Sequence, residues 1–203
     1  MRTASFGGLA VASAVLLSCS SSEPTPGMLS FTVAESLLVL MPSDPTFAYA
    51  LLSSGTGSCA ALQAGIAPGE IGNVNYLFAI FESVDINDMF APVTAASYNI
   101  IDPQQPPSQT LPALIAYSSI IETDNLCNYG GANASSGTAT LNPFNSADGG
   151  SSTLNYTAIY GGTQLTGTSV LTTCLLSATI AEADAGTCIP CTGPGDGGAC
   201  TIQ

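Results

Sequence analysis

Residues 152–160 read STLNYTAIY and show the alternation of a half-buried β-strand. Successive side chains of a strand point to opposite faces of a sheet, so every second residue shares a face. One face of this segment is apolar and the other is polar: Leu154, Tyr156, Ala158 and Tyr160 against Asn155 and Thr157. The stretch therefore predicts a strand with one face in a core and the other toward water.

Seven further runs are rich in β-branched, aromatic and apolar residues and are separated by clusters of Gly, Pro, Asn and Ser. They are SFTVAESLLVL (30–40), TFAYALL (46–52), NYLFAIFESVDI (75–86), AASYNII (95–101), LIAYSSII (114–121), SGTATLN (136–142) and GTSVLTTCLLSATI (167–180). The only helix that we expect is a short one at residues 59–64, ended by Gly65. The pattern predicts an all-β fold, an antiparallel β-sandwich or jelly roll of about eight strands stapled by disulfides.

The proline-rich segment PQQPPSQTLP (103–112) cannot be a central strand, because proline has no amide hydrogen to donate to a neighbouring strand. We interpret it as an exposed connection between two halves of one sandwich that spans residues 28–185. A boundary between two domains is the alternative. Residues 186–203 form a tail rich in Cys and Gly, too poor in apolar residues to pack by burial.

The N-terminus predicts an exported protein. Arg2 precedes an apolar stretch at residues 6–17, which is the charge pattern of a secretory signal and is too short to span a bilayer comfortably. The stretch ends in Leu16-Leu17-Ser18-Cys19, which resembles the lipobox of bacterial lipoproteins. The resemblance implies a signal peptide at residues 1–18, acylation of the Cys19 thiol, and a flexible tether at residues 19–27.

An ordinary signal peptide, with Cys19 left as a structural cysteine, is the alternative. By analogy with Gram-negative lipoproteins, the Ser20 that follows Cys19, in place of Asp, favours the outer membrane. The expected location is therefore the cell envelope, with the periplasmic or surface side left open.

The charge composition excludes several functions. The chain has a formal net charge of −13, no His, and Arg2 as its one basic residue. Nucleic-acid binding and attraction to anionic lipid headgroups both need cations, so neither is expected. Without His or Lys, no Ser-His-Asp triad and no Schiff-base lysine can form. The lipid on Cys19 is then the expected contact with the membrane.

Six cysteines remain besides Cys19, an even number that suits disulfides in an oxidising compartment. They are Cys59, Cys127, Cys174, Cys188, Cys191 and Cys200. Spacing does not choose among the possible pairings, although we expect a bridge from the tail to itself or to Cys174. Two alternatives are a zinc site, with Cys174 and Cys200 completing the Cys188-x-x-Cys191 pair, and a redox pair at Cys188 and Cys191.

Carboxylates are the only strong catalytic groups in the sequence, in two clusters: Glu82, Asp85 and Asp88, and Glu122 with Asp124. A polysaccharide hydrolase that uses two carboxylates is the alternative function that they permit. The chain has no Trp to serve as a sugar platform, and acids at strand ends and turns ordinarily face water.

A calcium site is a separate hypothesis, because hard cations bind oxygen ligands. The segment VDINDMF (84–90) offers Asp85, Asn87 and Asp88, and Asp196 lies among glycines in the tail. Neither segment matches the regular donor spacing of an EF-hand loop.

The chain also resembles uncharacterised lipoproteins of the myxobacterial type. The likeness lies in Cys127 followed by SGTATL (136–141), a Tyr-containing strand at 154–160 and LTGT (165–168) running to Cys174. SGTGSCAALQAG (54–65) and APVTAASYNI (91–100) extend it over most of residues 30–180. The resemblance implies an all-β, disulfide-stapled, membrane-attached domain and implies no activity.

The sequence thus predicts a non-enzymatic module of the cell envelope that acts in structure, adhesion or ligand binding. No cofactor is expected, and the partner, protein or glycan, is left open.

Overall fold

Nine strands and one short α-helix make up the computed structural model, which describes residues 31–104, 113–125 and 129–177. The strands are β1 (Glu35–Met41), β2 (Asp44–Ser53), β3 (Asn75–Val84), β4 (Phe90–Ala91), β5 (Ala96–Ile101), β6 (Ala113–Thr123), β7 (Tyr129–Leu141), β8 (Ser151–Tyr160) and β9 (Thr163–Leu175). The helix α1 (Ser58–Gln63) and a 3-10 turn (Pro68–Glu70) lie between β2 and β3.

The strands close into a barrel, so the predicted sandwich or jelly roll is wrong. The sheet order is β2-β1-β9-β8-β7-β5-β6-β3-β4, and β2 also pairs with β3, which joins the two ends of the sheet into an eight-stranded ring. β4 is a two-residue addition to the end of β3. The all-β class and the short helix are confirmed.

Two parallel contacts distinguish this barrel from a simple meander. β1 lies parallel to β9 over four residue pairs, from Leu37↔Thr172 to Leu40↔Leu175. β5 lies parallel to β6, with Asn99 opposite Ile115 and Ile100 opposite Ala116, and the proline-rich segment lies between these two strands in the sequence. This segment therefore joins neighbouring parallel strands of a barrel and not two halves of a sandwich; residues 105–112 lie outside the described residues.

The interior of the barrel is filled by side chains. Alternate residues of every long strand contribute, most of them Leu, Ala and Tyr, including Leu38, Ala50, Phe81, Tyr98 and Leu154. Small and large side chains together fill a narrow barrel, which leaves the interior a packed core. One polar pair lies within it: the Tyr160 and Ser118 hydroxyls are 2.6 Å apart, and Ser118 donates to the Phe78 carbonyl.

The outer wall is covered on one side only. α1 and the segment that follows it pack over the outer faces of β1, β2 and β3, where Leu37, Val39, Tyr49 and Tyr76 form a second apolar cluster with Leu62. A disulfide between Cys59 in α1 and Cys174 in β9 fixes this layer to the barrel. The outer faces of β5, β7, β8 and β9 have no such cover among the described residues, and they carry the candidate site.

Candidate functional site

Eight polar side chains form two rows across the uncovered wall. The pairing register places Ser97, Thr140, Asn155 and Thr168 in one row, and Asn99, Thr138, Thr157 and Thr166 in the other. We call these eight residues the polar face. Each strand supplies a pair two residues apart. Of the residues between them, Tyr98 and Ala139 are buried in the barrel, Tyr156 is half-buried, and Gly167 has no side chain. Neighbours lie about 4.8 Å apart across strands and about 6.7 Å apart along them.

Side-chain hydrogen bonds link members of the first row. The Thr168 hydroxyl donates to Asn155 Oδ1 at 2.7 Å. The Thr140 hydroxyl donates to Ser97 Oγ at 3.0 Å. Such cross-strand pairs stabilise a sheet by a few tenths of a kcal/mol to about 1 kcal/mol each. They also hold the hydroxyl and amide groups in fixed positions, which favours binding because less side-chain entropy is lost on contact.

The polar face is slightly concave. An open depression of about 390 Å³ lies over its centre, lined by members of both rows on β7, β8 and β9 together with Tyr156 and Gly167. No charged side chain lines it. Its groups are hydroxyls and amides, each able to donate and accept hydrogen bonds.

The acidic residues lie elsewhere. Between residues 129 and 177 the sequence has one acid, Asp148, and it is in the loop between β7 and β8. Strands β7, β8 and β9 therefore carry no charge in a chain whose formal net charge is −13. The polar face is an uncharged area on a strongly acidic molecule.

The residues of the calcium hypothesis lie in the turn between β3 and β4. Asp85 Oδ1 accepts the backbone amides of Asn87 at 2.8 Å and Met89 at 3.0 Å, and Asp85 Oδ2 accepts the Asn87 side-chain amide. The Met89 and Asn87 backbone hydrogen bonds lower the pKa of Asp85. The Asp85 carboxylate thus stabilises this turn, and calcium binding by Asp85, Asn87 and Asp88 stays a hypothesis. Asp196 lies outside the described residues.

The structure places the two carboxylate clusters at opposite ends of one ladder. Glu82 on β3 pairs with Ile115 on β6, whereas Glu122 on β6 pairs with Asn75 on β3. Seven residues of β6 separate the two levels, a distance of about 23 Å along the strand. A glycosidase holds its two carboxyl groups roughly 5–10 Å apart, so the two clusters do not combine into one such site.

Among the six candidate cysteines, the structure describes Cys59 and Cys174, which are joined to each other. Cys174 is therefore neither the partner of a tail cysteine nor a zinc ligand, and of the two bridges expected for the tail, the one within the tail stays a prediction. Cys19, Cys127, Cys188, Cys191 and Cys200 lie outside the described residues, as do the signal peptide, the tether and the tail. Within the described residues, no three Cys, Asp or Glu side chains are grouped as a metal site would need.

Reasoning from the sequence missed the polar face. The alternation in β8 showed Asn155 and Thr157 on one side, but each of the four strands contributes only two of the eight residues. The triplets SYN (97–99), TAT (138–140), NYT (155–157) and TGT (166–168) are the visible signal. Their alignment depends on the register, which no single triplet fixes.

Comparison with known protein families, with curated proteins and with solved structures gives no match. No helix among the residues that the structure describes has the length and apolar character needed to cross a membrane.

Proposed function

We propose that this chain is a lipoprotein of the cell envelope, anchored at the outer membrane by acyl chains on Cys19, that binds an uncharged polysaccharide through the polar face. The observation that carries the binding proposal is the pair of aligned rows of hydroxyl and amide groups on β5, β7, β8 and β9. The lipobox-like Leu16-Leu17-Ser18-Cys19 supports the anchor.

Charge selects the class of ligand. A polymer that carries carboxylate, sulfate or phosphate groups is repelled by a chain with 14 acids and one basic residue. A neutral sugar polymer feels no such repulsion, and its hydroxyls match the donors and acceptors of the polar face. Contacts along a polymer also add, so that individually weak hydrogen bonds produce lasting attachment. A lipid anchor then holds the polymer close to the membrane.

Co-sedimentation with insoluble polysaccharides tests the binding. The probes are cellulose and an insoluble α-glucan as neutral polymers, with insoluble carboxymethyl-cellulose beads as the acidic comparison. We expect retention of the protein on at least one neutral polymer and none on carboxymethyl-cellulose. No retention on either neutral polymer would overturn the choice of ligand.

Two matched variants locate the contact. Thr138 is exposed at the centre of the polar face, and a Thr138→Glu variant places a charge against an uncharged ligand. Burying that unpaired charge is expected to weaken retention at least about tenfold. Ser43 is exposed in the turn between β1 and β2, so Ser43→Glu adds the same charge on the opposite wall and is expected to bind like the parent. Equal loss in both variants would show that net charge acts and not the polar face.

The anchor is tested in the same preparation. Cells fed a radioactive palmitate are expected to label the protein, and a Cys19→Ser variant is expected to take up no label. Persistent labelling of Cys19→Ser would contradict the anchor while leaving the polysaccharide result intact.

A further inference from the structure

The barrel is closed by a short seam. β9 pairs with β1 through residues 172–175 only, whereas its other edge pairs with β8 along residues 163–172. In the part of the chain that the structure describes, residues 163–171 therefore have a strand neighbour on one edge alone. These nine residues form a segment that we call the β9 edge.

The register shows which backbone groups the β9 edge presents. The Thr173 amide donates to the Gly150 carbonyl, on the β8 side of the strand. Hydrogen-bonded pairs alternate with non-bonded pairs along an antiparallel ladder, so odd-numbered residues of β9 bond toward β8. The two-residue hairpin closed by Tyr160 and Thr163 agrees, since the closing pair of such a hairpin is a bonded one. Gln164, Thr166, Thr168 and Val170 thus direct their amides and carbonyls away from β8.

The β9 edge has none of the usual protection against strand pairing. Natural edge strands carry Lys, Pro, inward charges or bulges that block another chain. Residues 163–171 read TQLTGTSVL, with no charge and no proline, and the β8–β9 register is uninterrupted. Val170 is 65% exposed and borders a groove of about 440 Å³ between β9 and the start of β1.

Charge limits the ways in which two copies of this chain can approach each other. Two copies of a chain with a net charge of −13 repel each other over most orientations. The approach through β7, β8 and β9 meets the least repulsion, because Asp148 is the one acid between residues 129 and 177 and Glu35 is the one acid that lines the groove beside Val170. We propose that the chain forms a twofold dimer in which the β9 edges of two copies pair as antiparallel strands.

One register uses every available group. When Thr166 lies opposite Thr168 of the second copy, Gln164 lies opposite Val170, and the twofold axis passes through Gly167. The four outward residues of each copy then make about eight main-chain hydrogen bonds in total. An interface of this kind is isologous, with the same patch used by both copies, as in most homodimers. The dimer also places the polar faces of both copies side by side.

Sedimentation velocity of the full chain tests the dimer, with Cys19→Ser included so that no acyl chain drives association. At about 0.15 M salt and from about 1 to about 100 µM protein, we expect a concentration-dependent dimer. A monomer throughout this range overturns the proposal, whether the β9 edge is then covered by another segment of this chain or by a different protein.

A pair of charge variants tests the register. The double variant Gln164→Lys with Val170→Lys places like charges opposite each other across the twofold axis, and Gln164→Glu with Val170→Lys places opposite charges there. Both share the change at Val170, so any effect on the nearby Glu35 is common to them. We expect the Lys/Lys variant to dissociate at least about tenfold more readily than the Glu/Lys variant.

This comparison separates strand pairing from general electrostatics. The Lys/Lys variant has the lower net negative charge, so association governed by net charge alone would make it the tighter dimer. Tighter or equal association of the Lys/Lys variant would therefore overturn the register. Val170→Pro, which removes an edge amide, is expected to weaken the dimer relative to Val170→Thr, and near-ultraviolet circular dichroism of each variant checks that the barrel is folded.

Discussion

Glu82 is a carboxyl group held partly away from water on the outer face of β3. Burial raises the pKa of Glu82. The pKa of the neighbouring Tyr117 is raised mainly by its own burial and, to a smaller extent, by the negative charge of Glu82. An acid whose pKa is raised by folding favours the folded state when it is protonated and opposes it when it is ionised. Glu82 therefore lowers the free energy of unfolding at neutral pH, where it is ionised, and does not lower it in acid, where it is protonated.

The variant Glu82→Gln measures this cost. We expect Glu82→Gln to increase the free energy of unfolding at about pH 7, with the gain shrinking toward zero by about pH 3.5, where the parent carboxyl is protonated. Urea unfolding at a series of pH values gives the comparison. Glu122→Gln removes one negative charge from an exposed site on β6 and measures the effect of net charge alone. A gain for Glu82→Gln no larger than that of Glu122→Gln would contradict the assignment.

Some residues were readable from the sequence and others were not. The alternation of residues 152–160 predicted that Tyr160 faces a core, and Tyr160 is fully buried. Its partner Ser118 lies 42 residues away on a strand that is not adjacent to β8 in the sheet. Ala134 of β7 pairs with Tyr160, and its neighbour Asn133 pairs with Ser119, so β8 and β6 lie on either side of β7 at this level and the hydrogen bond reaches over the small Ala134 side chain. A local pattern can assign a face to a residue but cannot supply a partner that lies two strands away, because that partner depends on two registers.

At the scale of elements, the strands were predictable and their closure was not. The predicted runs overlap β1, β2, β3, β5, β6, β7, β8 and β9, because alternating and β-branched segments identify strands locally. The inner face of a sandwich and the interior of a barrel have the same alternation. The choice depends on pairings such as Leu37↔Thr172, which join segments more than 130 residues apart. Nothing within either segment specifies that contact.

The disulfide is the covalent link between two distant elements. It joins Cys59 in α1 to Cys174 in β9, at a sequence separation of 115, and it holds the outer layer against the seam of the barrel. Closing a loop of this length restricts the unfolded chain, so the bond should stabilise the fold substantially. Parity of the cysteine count predicted disulfides, but the pairing required the position of α1 over β9 and β1.

Removing both cysteines tests this contribution. The double variant Cys59→Ala with Cys174→Ala is expected to lower the free energy of unfolding by about 2–4 kcal/mol, measured by urea denaturation. The remaining cysteines stay even in number besides Cys19, so no unpaired thiol is created. A loss below about 1 kcal/mol would show that packing in the second apolar cluster already holds α1 in place.

The whole molecule is a polyanion without internal compensation. Its 14 acids face a single basic side chain, Arg2, so ion pairs between side chains contribute almost nothing to the folded state. Repulsion among carboxylates is greater in the compact fold than in the extended chain, and it therefore opposes folding. The uncharged wall formed by β7, β8 and β9 concentrates the acids on the rest of the surface, which increases their mutual repulsion there.

Salt should consequently stabilise this protein. Raising the NaCl concentration from about 10 mM to about 500 mM shortens the Debye length from roughly 30 Å to a few Å, so repulsion is screened while no attractive pair is lost. We expect Tm at about pH 7 to rise over this range and then to level off. The same series at about pH 3.5 is the control, since protonated carboxyl groups no longer repel and the rise should vanish. A fall in Tm with salt at pH 7 would mean that attractive electrostatics dominate. An equal rise at both pH values would assign the effect to salting-out of apolar surface.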